Sequence, residues 1–590
     1  MTINKRRPVM ADKRRVFLEG IVLAMLVIGC LPSFALGQQT SLDLPQQWKF
    51  QKGDDPQWSE SAFDDKDWET IRVGKPWDRN YDGYGWYRLK LTIPKSWQKD
   101  ASLQKYQHLT LLLGSINDAD QAWLNGKLVG QTGSLTGENG TANWNQSRVY
   151  RVPASLIRWG KENVIAVRVH DARARGGLYR GPYRLAISNW TDLVQLRLGL
   201  GRGDGIFPTG KPMEFTVNLQ NHSPLAISGR LKWTIQTDEK TALHHESITV
   251  TLISGKPQRV RCKFLPAQPG FYLASCSFVG EDGEVSQRMQ LGYAPEKIVS
   301  PLTREPDFLD FWKQSREALK RVEPRFEVIA QPQAGNSQIN VYEVRMRSLG
   351  NVRVAGWYEV PKKSGRYPAV LRLPGYGQNM RPIGRCQDMV VFSFNVRGHG
   401  NSQQDVNGKP QNYWIRGLDD KQDYYYRGAY LDCLRAVDFL VSRKEVDSKR
   451  IVVIGGSQGG GFSFATAALD SRIALCAPDI PFMADFVRYF QTSDWPEMDQ
   501  WIVAQEKRTW PRTLRTLSYF DTMNLAPLIR CPVFMGVGLQ DPVCPPATNF
   551  TLYNRVPAEK TYRVYPFAGH RVGPQHPDLV FAWIRKHFGL

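Results

Sequence analysis

The stretch that most restricts the fold is Ile451-Val-Val-Ile-Gly455-Gly456-Ser457-Gln458-Gly459-Gly460-Gly461. Four apolar residues read as a buried strand, and Phe462 to Leu469 reads as a helix. Between them stands G-x-S-x-G. A serine in that position must sit on a sharp strand-to-helix turn, and the flanking glycines leave room where a Cβ would clash. The pattern predicts an exposed nucleophile on a strained turn. Its bland alternative is a glycine-rich turn that only packs.

The surrounding sequence supplies the rest of such a fold. Ala369–Leu373, Met389–Phe394, Ile451–Ile454 and Val533–Val537 are continuous apolar runs separated by helical stretches. Strands of that kind belong to a mostly parallel sheet covered on both faces. Together with the serine turn they predict an α/β-hydrolase.

A serine hydroxyl needs a base, and the chain order in this fold is serine, acid, histidine. Few of the nine histidines follow Ser457. His570 lies in a loop behind the strand-like Thr561–Tyr565, where the base belongs. His576 and His587 compete with it. The acid is expected after Val533–Val537, which selects Asp541, with Asp479 as the alternative and a plain turn aspartate before Pro542 as the bland reading. The backbone N–H of Gln458 and that of Tyr376, in Leu373-Pro374-Gly375-Tyr376-Gly377, are the expected oxyanion donors. No CxxC pair or histidine cluster suggests a metal, and no cofactor is expected.

At 590 residues the chain exceeds a single core, so several domains are expected. We read residues 1–37 as a signal peptide, 38–193 as a jelly roll, 194–295 as an immunoglobulin-like sandwich and 296–590 as the hydrolase domain. The first 37 residues hold six Lys and Arg ahead of the apolar Val16–Leu36, with small residues before Gln38. Val27-Ile28-Gly29-Cys30 competes as a lipidation site, and an uncleaved anchor, weakened by Glu19, is the third reading. The expected location is therefore secreted or periplasmic, lipid-anchored if Cys30 is modified. In the front unit, alternating runs such as Leu109–Leu113 and Val164–Val169 flank turn clusters, and Asn125-Gly126 signals a tight hairpin. The middle segment alternates in Phe215–Leu219 and Leu231–Ile235 and carries no candidate chemistry, which reads as a spacer. Cys262 and Cys276 lie in its neighbouring strand-like runs and are placed to pair after export.

Beyond the signal the net charge is still about +17 of the total +21, but the Lys and Arg are scattered and form no basic helix or zinc-finger spacing. That argues against a nucleic-acid partner and is compatible with acidic polysaccharide. The 18 Trp fit sugar stacking or, more blandly, strand packing.

Residues from about 298 resemble the acetyl xylan esterase and cephalosporin-C deacetylase family, carbohydrate esterase family seven. The matching residues are Phe308-Leu-Asp-Phe-Trp312, Leu373-Pro-Gly-Tyr376-Gly377, Asn395-Val-Arg397-Gly398, Tyr424-Tyr-Tyr-Arg427-Gly428, Gly455-Gly-Ser457-Gln458-Gly459-Gly460 and Gly538-Leu-Gln-Asp541. The resemblance implies deacetylation of O-acetylated oligo- or polysaccharides through an acetyl-enzyme, with Ser457, Asp541 and His570 as triad and Tyr376 and Gln458 at the oxyanion hole. His399 and Arg571 stand where the family usually has Gln and Glu. Those departures and the extra domains leave the family's ring-shaped hexamer open here. Trp68, Gly85-Trp86-Tyr87-Arg88, Trp123-Leu124-Asn125-Gly126 and Gly177–Pro182 resemble the sugar-binding jelly roll of glycoside hydrolase family two, which implies a galactose-binding-like fold. A general esterase or prolyl-type peptidase on the same triad, and a glycan-binding protein without activity, are the competing expectations.

Overall fold

The computed structural model describes residues 40–77, 81–134, 146–171, 176–406 and 410–590. The signal segment and Cys30 lie outside the described residues. No helix among the described residues is long and apolar enough to cross a membrane. They form two compact units, one ending at Asn189 and one running Trp190–Leu590.

The first unit pairs a four-stranded with a six-stranded sheet, both antiparallel. Inward residues of both, among them Trp48, Phe50, Tyr87, Leu111, Leu113, Ile165 and Val167, share one core. The hairpin signal holds: Ala119–Leu124 and Lys127–Thr132 are joined by Asn125 (φ 50°) and Gly126 (φ 83°). Most of the front aromatics serve packing: Trp48, Trp77 and Trp97 belong to this core, and Trp68 and Trp86 are buried in a second cluster with Ala166.

The second unit contains the middle module and the catalytic domain. The middle module has a three-stranded sheet, Val194–Leu200, Met213–Asn221 and Pro257–Phe264, and a five-stranded sheet centred on Ile227–Thr237 and Gly270–Val279. Cys262 and Cys276 sit in different sheets as free, buried thiols, so the expected pairing is not made.

The catalytic domain is built on nine strands. They are β1 Glu327–Ala330, β2 Ile339–Arg347, β3 Arg353–Pro361, β4 Tyr367–Leu373, β5 Val390–Asn395, β6 Val446–Gly456, β7 Ile473–Asp479, β8 Val533–Gly538 and β9 Lys560–Tyr565. Their spatial order is β1-β2-β3-β5-β4-β6-β7-β8-β9. From β5 to β9 every pair is parallel, while β1–β3 form an antiparallel extension. The helices used below are α1 Phe308–Lys320, α2 Tyr425–Val441, α3 Gln458–Leu469, α4 Phe486–Thr492, α5 Pro546–Arg555 and α6 His576–Phe588.

Double coverage explains the continuous apolar strands. Leu371, Phe392 and Val453 face a core shared with Leu434 of α2 and Phe462 of α3. Their strand neighbours Val370, Val391 and Val452 face Val580, Phe581 and Ile584 of α6. The carboxyl ends of β4, β6, β7, β8 and β9 therefore converge on one edge, where the candidate site stands.

Candidate active site

Ser457 closes β6 and caps α3. Its backbone is forced to φ 57°, ψ −120°, a conformation an L-residue adopts only when its surroundings hold it there. The glycines permit this. A Cβ on Gly455 would stand 2.6 Å from the Gly459 backbone, and one on Gly459 would stand 2.4 Å from the Leu373 carbonyl. The turn is pinned by Ser457 N–H donating to the Asp479 carbonyl (2.9 Å) and by Phe482 N–H donating to the Ser457 carbonyl (2.9 Å). α3 starts at Gln458, earlier than the expected Phe462, because its three glycines are closely packed, Gly459 on the end of β4 and Gly460 and Gly461 on the segment Asp479–Met483 after β7, and that packing outweighs their weak helix propensity.

Loops from three strand ends bring the expected residues together. His570 Nε2 lies 3.0 Å from Ser457 Oγ, and His570 Nδ1 lies 2.9 Å from Asp541 Oδ2. Asp541 is buried, and its Oδ1 accepts the N–H groups of Val543 (2.8 Å) and Cys544 (2.9 Å). These bonds fix the carboxylate's rotation, so it can hold only one imidazole tautomer, with the proton on Nδ1 and Nε2 free to accept from the serine. Asp479, the alternative acid, is engaged elsewhere: its Oδ1 meets the buried His576 at 2.6 Å, and Tyr565 Oη closes that group at 2.8 Å from His576 Nδ1. His587 lies on α6, bonded to its own helix at the Trp583 carbonyl.

The two chosen N–H donors are free for a ligand. Gly375 N–H donates to Gln378 Oε1 (2.9 Å) and Gly377 N–H to His399 Nε2 (3.3 Å), while the Tyr376 N–H between them meets no acceptor among the described residues. Gln458 is the first residue of α3, whose N–H has no partner within the helix. Its side chain is locked, with Oε1 accepting from Tyr426 Oη (2.7 Å) and Nε2 3.3 Å from His399 Nε2.

His399 thus acquires a role that its sequence position did not reveal. It is buried, and burial pushes its pKa down to about 4. Its Nε2 receives the N–H of Gly377 and the amide of Gln458, so the network places the imidazole proton on Nδ1, which faces the Arg397 carbonyl (3.4 Å). One neutral ring therefore ties both candidate oxyanion segments together. Arg397 supports the turn that carries it through Asp432, at 2.8 Å from both Nε and Nη2.

A cavity of about 370 Å³ opens over Ser457 and His570, walled by Tyr376, Trp414, Phe482, Trp495 and Val543. Trp414, Phe482 and Trp495 lie outside every motif used above. They are remote in sequence, and only the aromatic cluster that joins Trp414 to Trp495 at 4.3 Å reveals them. Cys544 was also missed as a neighbour. Its thiol contacts Ser457, and burial pushes it well above its ordinary range, so it remains protonated. Among the described residues, Asp541, Cys544 and His570 form the one group of ligand atoms close enough to hold a metal ion. Two of its members already bond each other as acid and base. The geometry suits transfer of a small acyl group: a nucleophile, an oriented base, two backbone donors and a largely apolar recess.

Parts of this chain are similar to known proteins. Residues 296–587 match the family model described as acetyl xylan esterase, and residues 53–174 match the beta-galactosidase second all-beta domain. Acetyl esterase Axe7A of Xylanibacter ruminicola is 28% identical over 336 residues, which covers 54% of this chain and 75% of that protein. The solved acetyl xylan esterase from Paenibacillus sp. R4 is 33% identical, covering 50% of this chain and 98% of its own, with a TM-score of 0.46. Acetyl xylan esterase 1 from Thermoanaerobacterium is 29% identical over 50% of this chain and 97% of its own, also at 0.46. Residues 296–587 are thus an acetyl xylan esterase family domain, and the protein is a carboxylic ester hydrolase.

Proposed function

We propose that the protein removes acetyl groups from O-acetylated carbohydrates by a serine mechanism with an acetyl-enzyme intermediate. The observation that carries this is the unbroken line Ser457 Oγ, His570 Nε2, His570 Nδ1, Asp541 Oδ2, with contacts of 3.0 and 2.9 Å. His570 Nε2 takes the Ser457 proton as Oγ attacks the acetyl carbonyl. The oxyanion is met by the N–H groups of Tyr376 and Gln458, each worth roughly 3 kcal/mol in the transition state. Collapse expels the sugar oxygen, which receives the proton from His570. Water, activated by the same base, then attacks the acetyl-serine and releases acetate.

The recess is largely apolar, and the Tyr376 and Trp495 rings at its edge suit the apolar face of a sugar. The names of the relatives favour acetylated xylan as substrate. The basic n-region and apolar Val16–Leu36 favour action outside the cytoplasm. The test is acetate release from acetylated xylan and other acetylated glycans, with propionyl and butyryl esters alongside. Release confined to acetyl sugars supports the reading; preference for longer acyl chains or peptides contradicts it.

A further inference from the structure

The middle module, unremarkable in sequence, reaches the catalytic acid. Gln540 immediately precedes Asp541. Its Oε1 accepts the Gln290 N–H (2.7 Å), and its Nε2 donates to the carbonyls of Gln290 (3.0 Å) and Pro566 (2.7 Å). Its own backbone N–H donates to the Ala568 carbonyl (2.9 Å). Gln290 belongs to the strand Glu284–Tyr293 of the five-stranded sheet, and Pro566 and Ala568 belong to the loop that delivers His570. One amide therefore joins the sandwich, the acid loop and the base loop. It does so as a strand's peptide group would, donating and accepting at once, which among side chains only Asn and Gln amides do with this geometry.

Two more contacts bracket the same region. A Cβ on Gly205 of the sandwich would come within 2.6 Å of Leu539 Cδ2 and 3.8 Å of Pro566 Cβ, so the sandwich backbone is packed directly on the residue two before Asp541. Arg488 of α4 donates from Nη2 to both carboxylate oxygens of Asp238 of the sandwich, at 2.8 and 3.0 Å. Phe486 and Phe490 of the same helix pack on Trp414, the wall of the recess.

We infer that the sandwich is a working part of the active site, with Gln540 the positioning residue through which it holds Asp541 and the His570 loop in register. This rests on the triad reading above. A carboxylate displaced by a fraction of an ångström holds the imidazolium less well, which slows the chemical step without touching the substrate.

The test uses the full chain and 4-nitrophenyl acetate. Gln540→Ala is expected to lower kcat about 10-fold with KM within about twofold, and to move the acid limb of the kcat profile to lower pH. Gln540→Glu, which keeps the acceptor for Gln290 but sets a carboxylate oxygen against the carbonyls of Gln290 and Pro566, is expected to lower kcat at least as far as Gln540→Ala. Gly205→Ala, which leaves Gln540 intact, is expected to show the same signature. Asp238→Asn loosens the same contact far from the acid and is expected to leave the pH profile in place. Wild-type kcat and pH profile in Gln540→Ala, with only the melting temperature reduced, would overturn the inference alone. A wild type that hydrolyses no acetyl ester would contradict the functional reading and the inference with it.

Discussion

His399→Gln isolates the neutral imidazole between the two candidate oxyanion segments. In the wild type this ring must stay uncharged, because Gly377 N–H and the Gln458 amide both point at its Nε2. Its ordinary value of 6.5 and its buried value of about 4 set the scale. The folded state binds fewer protons than the unfolded chain between those two values. The associated stability is fully present above about pH 6.5 and is lost as pH falls through 4. At about 1.4 kcal/mol per pH unit, the full loss is about 3 kcal/mol, and about 2.5 kcal/mol of it is realised at pH 4.5. Glutamine offers Gly377 a neutral acceptor and does not titrate. The assay is urea denaturation of both proteins at pH 7.5 and pH 4.5, following the transition that abolishes esterase activity. The variant is expected within about 1.5 kcal/mol of wild type at pH 7.5 and to lose about 2.5 kcal/mol less than wild type on acidification. Equal losses in the two proteins would refute the assignment of a buried neutral imidazole.

The pair Asp485 and Asp521 acts in the opposite direction. Burial, and then the charge of Asp485, raise the Asp521 carboxyl to about 7, so the folded state holds a proton the unfolded chain releases near 3.8. Stability from this pair is present at acid pH and lost as pH rises through about 7, and Asp485→Asn is expected to shrink the fall in melting temperature between pH 5 and pH 8. An unchanged fall would count against the coupling. Trp495→Ala enlarges the recess beside Ser457 and is expected to raise the butyrate-to-acetate ratio of kcat/KM at a cost of about 3 kcal/mol in stability. An unchanged ratio would mean that Trp495 does not bound the acyl site. Asp541→Asn, which removes the carboxylate that fixes the His570 tautomer, is expected to cut kcat about 10⁴-fold with the fold intact, read by circular dichroism and esterase assay.

Local signals carried far in this chain. The Ser457 turn, the buried runs that became β4, β5, β6 and β8, and the Asn125-Gly126 hairpin were legible because each is dictated by sterics or periodicity within a few residues. His570 and Asp541 were legible because chain order in a parallel sheet fixes which strand ends can meet. Contacts that depend on folding at a distance were not. Nothing near Trp414 or Trp495 in sequence marks them as walls of one recess. The antiparallel β1–β3 were missed because their half-polar sequences lack the continuous apolar runs of the buried strands. The glycines of α3 hid its first turn, since intrinsic propensity argues against the helix that packing demands. The middle module read as a spacer because Gln290 contributes only backbone groups to its contact with Gln540.

Acyl transfer by Ser457 is tested by acetate release from acetylated xylan by wild type and by Ser457→Ala at matched concentrations. The variant is expected to fold normally and to lose about 10⁴-fold or more in kcat. Acetate release by Ser457→Ala at a rate near that of wild type would contradict it.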